Sequence, residues 1–140
     1  MRESVSQQKT SSNNPRDWIR FAEAELDALH LLTKHRTAYL MCRSKLAEVL
    51  EKLIKAELIH LGWTLVRTHD LQVLVDELIA RSSSNSETIQ PLAEEFVELY
   101  IVGRYPGFDL EDSEDWTKFE EYLSVVTGYA HSIKRLIQQT

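Results

Sequence analysis

The stretch from about Ala38 to Leu61 does most to limit what this chain can fold into. Leu46, Val49, Leu50, Leu53, Ile54, Leu58 and Leu61 recur at helical spacing and make a wide apolar stripe. A helix of that kind predicts a central core element with others packed around it. Gly62 follows where a helix C-terminal cap is expected. With only 4 Gly and 3 Pro in 140 residues, and Leu, Glu, Ala and Ile plentiful, the chain reads as mostly helical.

The neighbours of that helix are legible by the same rules. Asn14-Pro15 sets an N-cap before a Pro at the first helical position, and Asp17 adds an acid to the first turn. Trp18, Phe21, Ala22, Leu26, Leu29 and Leu32 then mark a first helix ending near Lys34-His35-Arg36. After Gly62, Trp63 to Val66 is rich in aromatic and β-branched residues, but a lone four-residue strand has no partner, so the segment is expected to be a loop. Thr68 or Asp70 caps a shorter third helix bearing Leu71, Leu74, Val75, Leu78 and Ile79. Arg81 to Ser86 is a turn-rich linker. A fourth helix runs through Ile89, Leu92, Ala93, Phe96, Val97 and Tyr100. The fifth is capped by Ser113, with Glu114 and Asp115 in its first turn, and carries Trp116, Phe119, Leu123, Val126, Ala130, Ile133 and Ile137. The expected fold class is all-α: an antiparallel up-and-down bundle of four long helices plus one shorter helix, spanning residues 14–140. Residues 1–13 are polar and are expected to remain a mobile tail.

Composition narrows the function. A net charge of -6 argues against broad binding to a nucleic-acid backbone, while leaving room for a local basic pocket. One cysteine, Cys42, excludes both a disulfide framework and a multi-thiolate metal site. No apolar run is long enough to span a membrane and the first residues lack a signal-peptide core, so a cytoplasmic location is expected. There is no phosphate-binding Gly-rich loop, paired-His metal motif or nucleophile elbow, and neither a cofactor nor a metal is expected. The five histidines are not spaced as i,i+4 pairs, and His30 and His60 read as ordinary helix-flank residues. The acidic run Glu111 to Glu114 reads as a solvated helix start.

Two segments stand out as candidates for binding. Arg104-Tyr105-Pro106-Gly107-Phe108 joins a cation and two aromatic rings to a rigid bend, either as a presenting loop or as a plain turn after a helix. Arg67 and His69 precede a helix start whose free amides favour an anion; alternatively, Asp70 caps that helix and His69 packs as a turn residue. Arg104, Tyr105, Arg67 and His69 are therefore the candidate ligand-binding residues, with Lys52 and Lys55 second. No catalytic residue is assigned.

In order along the chain, these pieces resemble the HEPN family, the higher-eukaryote and prokaryote nucleotide-binding domains. An opening Trp18 with Ala22-Glu23-x-Glu25-Leu26-Asp27 resembles the family's first helix. Glu51-Lys52-Leu53-Ile54-Lys55-Ala56 is similar to its helix-two signature, Thr68-His69-Asp70-Leu71 to the opening of the next helix, and Arg104-Tyr105-Pro106 to the loop before the last. The resemblance implies a bundle like the C-terminal half of aminoglycoside nucleotidyltransferases, commonly a homodimer and often encoded beside a minimal nucleotidyltransferase in a toxin–antitoxin-like pair. Several such proteins are ribonucleases that use an Arg followed four to six residues later by a His. Here no Arg precedes a His at that spacing, and position 48 is Glu where the signature would have Gln.

Three readings follow. The first is a non-catalytic module that binds a nucleotide, an RNA or a protein partner. The second is a ribonuclease built unusually on Arg67, His69 and Arg104, and the third is a purely structural dimer. A homodimer is expected because helices one, two and five carry large apolar groups beyond the needs of one interior, including Trp18, Trp116, Phe119 and Tyr122.

Overall fold

The computed structural model describes residues 13–104 and 114–139, with side chains omitted from 98–104. Five helices follow one another: α1 (Pro15–Lys34), α2 (Tyr39–His60), α3 (Leu71–Ala80), α4 (Ser86–Arg104) and α5 (Trp116–Gln138). The expected all-α class holds, and among the described residues there is no strand, Trp63 to Val66 included.

The middle of the bundle is α2, which packs against each of the other four helices. Its buried residues run almost continuously from Leu46 to Leu58 and leave only a narrow, partly exposed strip at Lys45, Glu48 and Lys52, as expected of a helix surrounded on most sides. Around it, α1 buries Ile19, Ala22, Leu26, Leu29 and Thr33, an alternating three-and-four spacing that makes one straight seam. Phe21 falls off that seam and is 57% exposed, contrary to its expected place in the core. Leu61, Ile79 and Val97 are likewise exposed, because each lies beyond the helix end or off the face that the neighbours cover.

The short connections depend on a recurring left-handed cap. At the end of α2, Gly62 has φ 95°, its amide donates to the Ile59 carbonyl at 3.0 Å and the Trp63 amide donates to that of Leu58 at 2.9 Å. The same pair of bonds closes α1 through Arg36 (φ 53°) and α3 through Ser82 (φ 56°). Only one of the three has the glycine that this geometry favours. At Arg36 a side-chain gain offsets the strain: its guanidinium pairs with Glu120 at 2.8 Å and stands over the Trp116 ring. The cap of α5 is Asp115, whose carboxylate accepts the Lys118 amide at 3.0 Å, rather than Ser113, which lies outside the described residues.

One buried carboxylate ties three segments together. Glu57 of α2 accepts the Ser83 hydroxyl at 2.6 Å and the Asn85 side-chain Nδ2–H at 3.2 Å from the α3–α4 turn, and the Tyr129 hydroxyl of α5 at 2.6 Å. Burial, reinforced by the Glu57 carboxylate, pushes the Tyr129 phenol well above its ordinary value, so it stays a donor. An acidic side chain is thereby accommodated in the core without a cation among these partners.

The aromatic groups that suggested a second copy are mostly used inside this chain. Trp116 and Phe119 are buried and meet edge to face at 5.8 Å, Tyr39 stands 5.1 Å from Trp116, and Tyr122 packs on Phe96 at 5.4 Å. They no longer argue for an interface.

The left-handed caps give a direct stability test. Ser82→Gly removes the Cβ penalty at an exposed position and is expected to stabilise the fold by about 0.5–1 kcal/mol, whereas Gly62→Ala should cost about 1 kcal/mol or more. Urea unfolding midpoints of the two variants check both signs.

Candidate functional site

One turn of α2 carries the site's charged floor. Glu51 and Lys55 lie four residues apart, so their side chains meet on one face, with Lys55 Nζ 2.9 Å from Glu51 Oε2. Both are almost fully buried, at 5% and 8% side-chain exposure for Lys55 and Glu51. The Lys55 ammonium also stands 5.4 Å from the centre of the Trp18 ring of α1. From the connection between α2 and α3, His69 reaches back so that Nδ1 lies 3.0 Å from Glu51 Oε2 and 3.2 Å from Oε1. A carboxylate can only accept, so Nδ1 carries the proton and Nε2 is left to face ligand or water chemistry.

These groups enclose a cavity of about 220 Å³ lined by Trp18, Lys55, Leu65, Arg67, Thr68 and His69. The candidates Arg67, His69 and Lys55 come together there. Lys52 does not: it lies on a different face of α2 and pairs with Glu25, as does Lys45. Glu48, at the signature position where Gln was expected, lies 3.6 Å from Lys45 in the same surface group. Tyr105 and the side chain of Arg104 lie outside the described residues, while the backbone of Arg104 closes α4.

The start of α3 offers fewer free donors than its sequence suggested. Asp70 is the N-cap, and its Oδ1 accepts the Gln72 and Val73 amides at 3.0 and 3.3 Å. Those donors are occupied, and the cap adds a negative charge of its own. The electrostatic balance then falls on a few groups: Glu51 and Lys55 neutralise each other, Asp70 faces its helix amides, and Arg67 remains exposed with no ion pair to any described residue. The Thr68 hydroxyl accepts the Asp70 amide at 3.1 Å, which leaves its own proton available to a ligand.

The residues that sequence reading did not single out are Glu51 and, as part of a site, Trp18. Glu51 had a usable signal, since it falls inside the apolar stripe between Leu50 and Leu53 and four residues before Lys55. An acid in that position must be paired once the stripe is buried. Elsewhere, burial pushes the Cys42 thiol upward, consistent with a packing residue rather than a nucleophile.

An all-α bundle wrapped around one charged core helix, with a small basic and aromatic cavity at its side, defines the class of protein as an all-α helical domain. The HEPN domain family model matches residues 15–136, and the chain belongs to that family. Comparison with curated proteins and with solved structures returned no match.

The buried pair can be tested without a ligand. Lys55→Ala leaves the Glu51 charge in the core with only His69 beside it and is expected to cost about 3–5 kcal/mol, whereas the double change Glu51→Leu with Lys55→Met removes both charges and should recover most of that loss. Chemical denaturation of the two variants and the parent reads the difference.

Proposed function

We propose that this chain is a non-catalytic HEPN-type module that binds the phosphate end of a nucleotide or RNA at the cavity between α1, α2 and the α2–α3 connection. The observation that carries this reading is Arg67, a guanidinium without an ion pair among the described residues, beside His69, Thr68 and the Trp18 ring in one cavity. Arginine offers a planar fork that matches phosphate oxygens, and the threonine hydroxyl adds a donor. At about 220 Å³ the cavity is smaller than the ~300–1,000 Å³ of sites that enclose whole small ligands. It therefore suits a phosphate with part of its sugar, while Arg104 and Tyr105 are the proposed contacts for the rest of the ligand.

A second reading, a ribonuclease, is favoured by one specific feature: the Glu51 carboxylate orients His69 through Nδ1, the relation that prepares an imidazole for proton transfer at Nε2. The binding reading is preferred because the Arg-to-His spacing of the active relatives is missing and Glu51 is already engaged by Lys55.

We further propose that the module works as a homodimer and pairs with a minimal nucleotidyltransferase, as the family membership suggests. Exposed Phe21 and Leu31 on α1 and Leu40 and Met41 at the start of α2 supply apolar surface that a second copy would cover. Sedimentation at tens of micromolar should show a dimer, a concentration chosen by the rough affinity scale of specific complexes; monomer alone would remove this part. Co-purification with a nucleotidyltransferase encoded nearby tests the pairing.

The binding and ribonuclease readings separate cleanly. Titration with a nucleoside monophosphate should move the Arg67 and His69 amides at millimolar ligand. The effect should weaken with added salt, as screening of a few exposed charges demands, and disappear in Arg67→Ala. No single-stranded RNA should be cut. Turnover that is lost in His69→Ala and kept in a His35→Ala control would instead establish the ribonuclease.

A further inference from the structure

A second concave region lies on the other long helix pair, where the C-terminal half of α1 meets the middle of α5. It is an open groove of about 630 Å³ whose lining includes His30, Lys34, Ser124, Thr127, Gly128 and His131. That volume is nearly three times that of the Trp18 cavity and falls in the range of whole-ligand sites.

The charge around the groove is one-sided. Lys34 and His131 make no side-chain hydrogen bond or ion pair with any described residue. The acid in the lining, Glu120, is already neutralised by Arg36 at 2.8 Å. Two histidines and a lysine are thus left to face the space. No group of three or more His, Cys, Asp or Glu stands close enough to hold a metal among the described residues. What the lining can recognise is an anion.

The protonation of His30 follows from its neighbour. Thr127 gives its single hydroxyl proton to the Leu123 carbonyl at 2.7 Å. Its 3.0 Å contact with His30 Nε2 must then run from the imidazole to the hydroxyl oxygen, so Nε2 carries a proton. Gly128 adds an independent observation. A glycine in mid-helix is unfavourable relative to alanine, and a Cβ added here would meet nothing within 4 Å, so no close packing among the described residues accounts for it. Its effect is to lower the wall of the groove.

We propose that the α1–α5 groove is a second binding site, for a phosphate-bearing small molecule of about nucleotide size, with Lys34 and His131 on the phosphate and the Ser124 hydroxyl and the face above Gly128 against the rest. The site is separate from the Trp18 cavity and shares no residue with it. The charged and ionisable groups around it are His30 and Lys34 on α1, Glu120 and His131 on α5, and Arg36 in the turn after α1.

The test is a titration of the whole chain with adenosine 5′-monophosphate and, separately, adenosine, followed by amide and imidazole resonances. The monophosphate should shift Gly128, His131 and Lys34, and lose at least about threefold in affinity in either Lys34→Ala or His131→Ala. Gly128→Leu places a branched side chain in the groove, and its Cβ has open space. It should fold as the parent does, abolish these shifts, and leave any shifts at Arg67 and His69 intact. Equal binding of adenosine, unchanged binding by Gly128→Leu, or shifts confined to Arg67 and His69 would each overturn the proposal. The last of these would leave the Trp18 cavity reading standing.

Discussion

The burial of most of α2 is the constraint from which the other features follow. A helix that packs against four neighbours keeps only a narrow strip, at Lys45, Glu48 and Lys52, on which to leave a charge near water, yet this one carries Glu51, Lys55 and Glu57 within seven residues, all at most 6% exposed as residues. Each must find its partner inside the protein, because an unpaired buried charge costs more than any single packing contact returns. The partners come from different segments: Glu51 takes Lys55 and His69, while Glu57 takes Ser83, Asn85 and Tyr129. These bonds set where the two connections flanking α3 sit, since a one-turn slip of α2 would strand both carboxylates. Apolar packing alone does not discriminate against such a slip, because the stripe repeats with the helix. The polar groups do.

Short connections are the second constraint, and the molecule meets it with strained residues in two of three places. Arg36 and Ser82 occupy left-handed backbone at a cost that glycine would avoid. At Arg36 the conformation brings the guanidinium to Glu120 and Trp116, so the turn between α1 and α2 is fastened to the first turns of α5. At Ser82 the following residue, Ser83, delivers its hydroxyl to Glu57. In both cases the residue type at the cap is less informative than the side chain that the cap delivers. This is why Gly62 was recognisable from the sequence as a helix end and the other two were not.

That contrast runs through the whole chain. Periodicity located all five helices, and the caps at Asn14, Asp70 and Gly62 were readable because each acts within its own segment. What depended on tertiary placement was not readable. Lys52 and Lys55 look equivalent in a helix, and only the position of α1 decides that one meets Glu25 and the other the Trp18 ring. Trp116 and Phe119 looked surplus to one bundle because the sequence does not reveal that Tyr39 and the α1–α2 turn cover them. In the candidate site, Arg67 and His69 were legible from their place before a helix. The opposing effect of Asp70 was also present in the sequence, as the alternative that the structure adopts.

The same charge accounting bears on whether the Trp18 cavity favours binding or chemistry. A carboxylate that orients a histidine assists proton transfer chiefly by stabilising the imidazolium as it forms. Glu51 is poorly suited to that task, because the Lys55 ammonium 2.9 Å away already neutralises it in a buried setting. Arg67, the group that would stabilise a pentavalent phosphate, is exposed and has no described ion-pair partner to hold its guanidinium in a fixed position, whereas transition-state stabilisation depends on donors arranged before the reaction begins. An exposed arginine can still hold a ground-state phosphate. These relations support the proposed reading, in which an anion is bound rather than cleaved and the His69–Glu51 bond helps to fix the wall of the cavity.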